Sequence, residues 1–210
     1  MASSAGPCRR PGPATPAVVV LAPQGDVAEH LRAISASGGR PVPVRRPAEL
    51  AAVDGLIIPG GESTTIWKLA DIFELAGPLR ERIAAGLPVF GSCAGMIMLA
   101  TRLVERASGQ ETFGAIDMTV RRNAFGRQTE SFESDIDIAG APGPPFRAVF
   151  IRAPWVEDTG PQVEILATEP RTGRIVAVRQ GPALATSFHP ELTQDNRVHA
   201  IFTNMVRELS

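Results

Sequence analysis

The chain has 210 residues, 44% hydrophobic and 20% charged, which suits one α/β domain and excludes a disulfide-stapled miniprotein. Its 21 basic and 22 acidic residues leave a formal net charge of −1, so no net field is available to hold a nucleic-acid backbone. Two cysteines, Cys8 and Cys93, are too few for a disulfide framework or a cysteine-rich zinc site, and a reducing, cytoplasmic compartment is expected.

Residues 1–16, MASSAGPCRRPGPATP, hold no apolar run long enough to pack and read as a disordered tail ahead of a single domain over 17–210. Arg9 and Arg10 precede only the apolar run 18–22, which is too short for a secretory signal core, although an acid-free tail is also what an organelle transit peptide shows. No segment approaches the roughly eighteen apolar residues of a membrane span.

From residue 17 onward, short apolar runs alternate with helical periodicity, the pattern of βα units feeding a parallel sheet. Residues 18–21 predict a buried strand, 27–36 a helix stopped at Gly38-Gly39, 42–44 a second strand, and 55–58 a third ending at Pro59-Gly60-Gly61. Helices are expected over 64–73 and 78–85, a strand over 88–90, and a further helix over 94–104. After residue 110 come short β-branched and polar runs at 118–120, 136–138, 149–151, 163–167, 175–178 and 184–187, expected as antiparallel strands extending one edge. A closing helix over 195–209 has Asp195 or Asn196 as N-cap and Val198, Ile201, Phe202 and Met205 on one apolar face. The expected fold is therefore a doubly wound, mostly parallel α/β sheet with helices on both faces and an antiparallel edge extension.

Gly91-Ser92-Cys93-Ala94-Gly95, between a strand and a helix, is the nucleophile-elbow pattern with Cys in the place of Ser. Glycines on both sides permit the tight turn that lifts a nucleophile above the sheet, at a helix N-terminus where a thiolate is favoured. A buried cysteine is also commonly an inert small hydrophobe, so the elbow alone leaves both readings open. A thiolate nucleophile needs a base, and the base needs a third group to orient it. His30 in the first helix and His199 in the last are expected at surface or helix-flank positions without a role. His189 follows the apolar run 184–188 and begins His189-Pro190-Glu191. The proline holds His189 extended, and Glu191 two residues on can orient the imidazole from the side away from Cys93. No Pro-Cys-x-x-Cys follows, so a zinc-deaminase reading of His-x-Glu fails.

A third junction, 57–65 (IIPGGESTT), has paired glycines that can present N–H groups to an oxyanion, while Glu62 and Ser63 can engage a polar substrate. It lacks the Gly-Lys-Ser/Thr of a Walker A loop and the Gly-x-Gly-x-x-Gly of a dinucleotide fingerprint, and as a plain turn with a helix cap it needs no further explanation. Taken together, the three strand-end features put the parts of a Cys-His-Glu hydrolase at the carboxyl edge of one sheet, where open α/β folds bind ligands.

On these residues the sequence resembles the class I (triad) glutamine amidotransferases. Longer strings are similar to the glutaminase subunits of pyridoxal 5′-phosphate synthase: 56–65 (LIIPGGESTT), 122–128 (RNAFGRQ), 131–133 (SFE), 150–154 (FIRAP), 176–181 (VAVRQG) and 185–191 (ATSFHPE). The resemblance implies hydrolysis of L-glutamine to L-glutamate and ammonia, with Cys93 as nucleophile, His189 as base and then acid, and Glu191 orienting His189. It further implies an oxyanion hole from the backbone of Gly61 and Ala94, and glutamine contacts from Gly61, Glu62, Ser63, Arg122, Ile151 and Arg152. Composition alone would leave Arg122 a solvated charge like Arg121, and Arg152 a sheet-edge charge pair. No metal or organic cofactor is implied. The implied partner is a (β/α)₈-barrel synthase subunit that consumes the ammonia, in a hetero-oligomer, with glutaminase activity low until it binds. The segment around Gln24-Gly25 would lie near that interface, where Pro23 replaces the family's usual leucine. A class I glutaminase serving another synthase, a different cysteine hydrolase of the same superfamily and a non-catalytic binding subunit are the competing readings. The last would be marked by a lost triad residue, and a related hydrolase would carry a histidine beside the elbow, where this chain has Ala94.

Overall fold

The computed structural model describes residues 15–22, 25–50, 53–106, 108–122, 124 and 131–209. Most of the tail, with Cys8, therefore lies outside the described residues, as do Pro23, Gln24, Asn123 and 125–128. In chain order the strands are β1 Ala17–Leu21, β2 Arg40–Val44, β3 Gly55–Ile58, β4 Val89–Ser92, β5 Ala100–Val104, β6 Ile116–Arg121, β7 Ser131–Ile136, β8 Phe146–Ile151, β9 Trp155–Thr159, β10 Glu164–Glu169, β11 Arg174–Gln180 and β12 Ala183–Thr186. The α-helices are α1 Val27–Ala36, α2 Ser63–Ile72, α3 Ala76–Ala84, α4 Ala94–Leu99 and α5 Arg197–Leu209.

Ten strands form one sheet in the order β2-β1-β3-β4-β12-β11-β9-β6-β5, with β10 paired to β11. The run β2-β1-β3-β4-β12 is parallel throughout, with Ile58 beside Gly91 and Thr186 beside Ser92 at its carboxyl edge. The pairings of β11 with β12, of β9 with β11 and of β6 with β9 are antiparallel, and β5 returns parallel to β6. Period-two alternation then sorts the side chains between two cores. Val19, Leu21, Leu56, Ile58, Val89 and Ala185 pack with residues of α2, α3 and α4, among them Ile66, Leu79 and Met96. Val18, Val20, Ile57, Phe90 and Leu184 face the other way, onto Ile34 of α1 and Val198, Phe202 and Met205 of α5. Full burial of each such Val, Leu, Ile, Phe or Met side chain contributes about 1.5–3 kcal/mol.

Several details depart from the sequence reading. The run after residue 110 is not one antiparallel extension: β12 lies inside the sheet parallel to β4, and β7 with β8 forms a separate two-stranded sheet whose Ile136, Phe146 and Phe150 join the α1/α5 core. The helix expected over 94–104 stops at Leu99, because Thr101 and Arg102 find cross-strand partners on β6: Thr101 Oγ1 donates to Met118 O, and Arg102 donates to Thr119 Oγ1 and pairs with Asp117. Strand β9, unpredicted from its sequence, is formed by its ladders to β6 and β11. At α5, the Asn196 carbonyl accepts the first helical bond from Ala200, while the Asp195 carboxylate caps Arg197 N at 3.0 Å. No helix among the described residues is long and apolar enough to cross a membrane.

Candidate active site

Because β1, β3, β4 and β12 are adjacent and parallel, the segments leaving them converge on one edge. Asp26 follows β1, Gly60 to Ser63 follow β3, Cys93 follows β4 and His189 follows β12. At the elbow Cys93 adopts φ 48° and ψ −101°, a conformation costing about 1–3 kcal/mol that an L-residue keeps only when its surroundings impose it. The surroundings here are close backbones. A Cβ on Gly95 would lie 2.1 Å from the Ile58 carbonyl oxygen, so α4 can sit against β3 only with glycine there. The Cys93 N–H is held by Thr186 O at 2.8 Å, and its thiol lies 3.8 Å from Ile151 O.

His189 is anchored through its N–H to Val149 O at 2.9 Å. Its Nδ1 is 2.7 Å from Glu191 Oε1, and His189 and Cys93 line the same cavity. Burial disfavours charge on the imidazole, but the hydrogen bonds and charges of Cys93 and Glu191 outweigh it and raise the His189 pKa to about 10. Burial pushes the Glu191 carboxyl up, against the pull of His189. Gly60 lies close against the imidazole: a Cβ there would stand 2.4 Å from Cε1 and 2.9 Å from Nδ1.

A cavity of about 230 Å³ opens over the thiol, lined by Gly61, Glu62, Ser63, Cys93, Ile97, Arg122, Ile151, Arg152 and His189, with Asp26 at its side. Every substrate-contact residue expected from the sequence is among them. Glu62 caps α2 through Thr65 N at 2.7 Å and also pairs with Arg122 at 3.0 Å. Burial works against its charge, but hydrogen bonds from Thr64 and Thr65 hold its carboxyl at about 2. Arg121 and Arg122, alike in composition, separate in space. Arg121 turns to Glu157 and Glu105, whereas Arg122 reaches the cavity. Arg152 takes φ 42° and also faces the cavity. Ala94, the first residue of α4, is buried beneath the thiol's turn, and Gly61 takes φ 139° at the cavity wall.

Three features lay outside the sequence reading. Gln110, 2% exposed, donates to Ser63 Oγ at 2.9 Å and accepts from Arg122 at 3.0 Å, joining two cavity residues. Asp26 Oδ2 lies 3.7 Å from His189 Nδ1. His30 and His199 are not at the surface, as expected, but fully buried. A signal was available: His30 falls three residues after Val27 and four before Ile34, and His199 precedes Phe202 by three, so both lie on apolar helix faces. Asp26, His189 and Glu191 are also the described grouping whose donor atoms lie within 4.8 Å of one another, as a cation would need. The 2.7 Å His189–Glu191 contact already commits an atom of each to a hydrogen bond.

A doubly wound sheet with a cysteine elbow and a His-x-Glu on neighbouring strand ends is the architecture of a glutamine amidotransferase. A solved structure described as a glutamine amidotransferase superposes with a TM-score of 0.83 at 45% identity, covering 90% of this chain and 98% of that one. The chain belongs to the SNO glutamine amidotransferase family, whose model matches residues 20–208. It is 66% identical over 194 residues to the pyridoxal 5′-phosphate synthase subunit PdxT of Acidothermus cellulolyticus, covering 91% of this chain and 94% of that protein. It is 62% identical over 193 residues to the subunit of the same name from Streptomyces avermitilis, covering 92% and 95%.

Proposed function

We propose that the protein hydrolyses L-glutamine to L-glutamate and ammonia with Cys93, His189 and Glu191, and delivers the ammonia to a (β/α)₈-barrel partner that makes pyridoxal 5′-phosphate. The observation that carries the proposal is that Cys93 and His189 meet at the wall of one small cavity that also holds Glu62 and Arg122, with Glu191 2.7 Å from His189 Nδ1.

Free glutamine is a zwitterion. The Glu62 carboxylate suits its ammonium group and the Arg122 guanidinium its carboxylate, leaving the side-chain amide to reach Cys93. Ser63, Ile151 and Arg152 complete the walls. The sulfur facing an imidazolium attacks the amide carbon as thiolate. The oxyanion that forms is received by the N–H groups of Gly61 and Ala94. Collapse breaks the C–N bond as His189 gives its proton to the leaving nitrogen, releasing ammonia and a γ-glutamyl thioester. Water, deprotonated by His189, then attacks the thioester and frees glutamate and the thiolate. Glu191 keeps Nδ1 protonated and the ring oriented through both steps. No step asks for a metal or organic cofactor.

We take residues 17–210 as one glutaminase domain and the cytoplasm as its compartment, where an unpaired nucleophilic thiol stays reduced. The test is ammonia release from L-glutamine with and without a candidate barrel synthase. Stimulation by that partner is expected; no stimulation by it, with stimulation by a different biosynthetic synthase, would overturn the pathway assignment.

A further inference from the structure

Behind the triad, away from the cavity, stands a second buried polar group that the reaction above does not use. His30 of α1 and His199 of α5 are both fully buried. His30 Nδ1 is 2.9 Å from His199 Nε2, and His30 Nε2 is 3.1 Å from Ser92 Oγ and 3.5 Å from Glu191 Oε1. The His30 ring thus touches both the residue that leads into Cys93 and the carboxylate that orients His189.

The direction of these contacts follows from the acceptor at their end. An ionised carboxylate 3.5 Å from Nε2 repels a bare lone pair and attracts an N–H, which assigns the hydrogen to Nε2, with Ser92 Oγ at 3.1 Å as its acceptor. Nδ1 of the same neutral ring is then an acceptor and takes the Nε2–H of His199. The chain ends at His199 Nδ1, a lone pair without a hydrogen-bond partner among the described residues, as is the second oxygen of Glu191, Oε2.

We propose that His30 is a positioning residue of the reaction: its Nε2–H, oriented by His199 and hydrogen-bonded to the Ser92 hydroxyl, turns its positive end toward the Glu191 carboxylate 3.5 Å away, and so favours the ionised carboxylate and the oxygen that Glu191 presents to His189. The inference rests on the hydrolytic role given above to Cys93, His189 and Glu191.

Both rings stay neutral while His189 gains and loses its proton. Burial, then the neighbouring His199 and His189, hold His30 well below the usual imidazole range, and burial holds His199 at about 4. His30 therefore supplies a fixed dipole rather than a second base. The ionisable groups facing Glu191 are His189 on the same turn, His30 from α1 and Asp26 just ahead of α1, with His199 acting through His30. Removing the His30 donor leaves His189 to hold the carboxylate and makes Glu191 easier to protonate.

The first measurement needs no turnover: nitrogen-15 spectra of histidine-labelled protein at neutral pH. Protons on Nε2 of both His30 and His199 are expected, and a proton on His30 Nδ1 would overturn the proposal. The second compares two variants in ammonia release with the synthase partner present. His30→Leu should lower kcat about tenfold with KM moving less than about threefold, the loss for a buried hydrogen bond whose dipole faces a carboxylate. It should also shift the acid limb of the kcat profile to higher pH. His30→Gln, whose amide N–H reaches the place of Nε2, should recover most of kcat and return the limb. Equal losses in both variants, with a profile parallel to the parent's, would reduce His30 to packing and overturn its positioning role. A parent protein that releases no ammonia would overturn the hydrolytic reading instead, a result the tautomer spectra distinguish.

Discussion

The face that Gly60 turns to His189 gives a sharp steric test. A Cβ built on Gly60 lies 2.4 Å from His189 Cε1, 2.9 Å from Nδ1 and 3.4 Å from Nε2. Ordinary carbon contacts begin near ~3.5 Å, so Gly60→Ala must push the imidazole back by about 1 Å. Glu191 is buried and cannot follow freely, so the 2.7 Å bond from His189 Nδ1 is stretched as the ring moves relative to Cys93. A misplacement of that size at a reacting group costs about a hundredfold in rate. Gly60 does not occupy the left-handed region, so alanine brings no backbone strain of its own. Gly60→Ala should therefore lower kcat for ammonia release about a hundredfold, measured with the synthase partner, while the melting temperature falls only a few degrees. A variant within about threefold of the parent would refute the claim that this glycine sets the imidazole position.

Three further predictions follow from the charges. With His189 raised from the usual 6.5 to about 10, its imidazolium contributes stability fully below 6.5, and that contribution is lost as pH rises through about 10. The kcat/KM profile should accordingly hold above neutrality and fall only toward that region, whereas a basic limb near the free-imidazole value would contradict it. Glu169 is fully buried; burial opposes its charge, but Arg171, Thr172 and Ser134 hold its carboxyl at about 2. Its contribution, at most about 3 kcal/mol, is present above the unfolded value and lost as pH falls through about 2. Urea unfolding of Glu169→Gln should thus show a deficit at neutral pH that shrinks in acid, and a pH-independent deficit would exclude this origin. Arg122→Met removes the 3.0 Å contacts to Glu62 and Gln110, and should raise KM for glutamine about tenfold or more while kcat changes less. An unchanged KM would remove Arg122 from substrate binding.

What the sequence made legible was local chemistry. The elbow around Cys93, the His189-Pro190-Glu191 turn and the glycines after β3 announce themselves because each needs particular residues at fixed spacing, and the parallel strands bring them to one edge. What stayed hidden depends on partners far along the chain. The end of α4 at Leu99 is decided by Asp117, Met118 and Thr119 on β6, and β9 by ladders on both sides, so neither shows in a local hydrophobic period. Gln110 is an ordinary polar residue until Ser63 and Arg122 close on it. His30 and His199 sit 169 residues apart and meet at 2.9 Å, a pairing that no single helix reveals even though each lies on an apolar face.

The central claim is that Cys93 attacks glutamine. Its most direct test is the rate of ammonia release from L-glutamine by Cys93→Ala in the presence of the synthase partner, beside a melting curve and a binding assay for that partner. The account predicts release at the background rate with fold and partner binding intact. Substantial glutamine hydrolysis by the folded variant would contradict it.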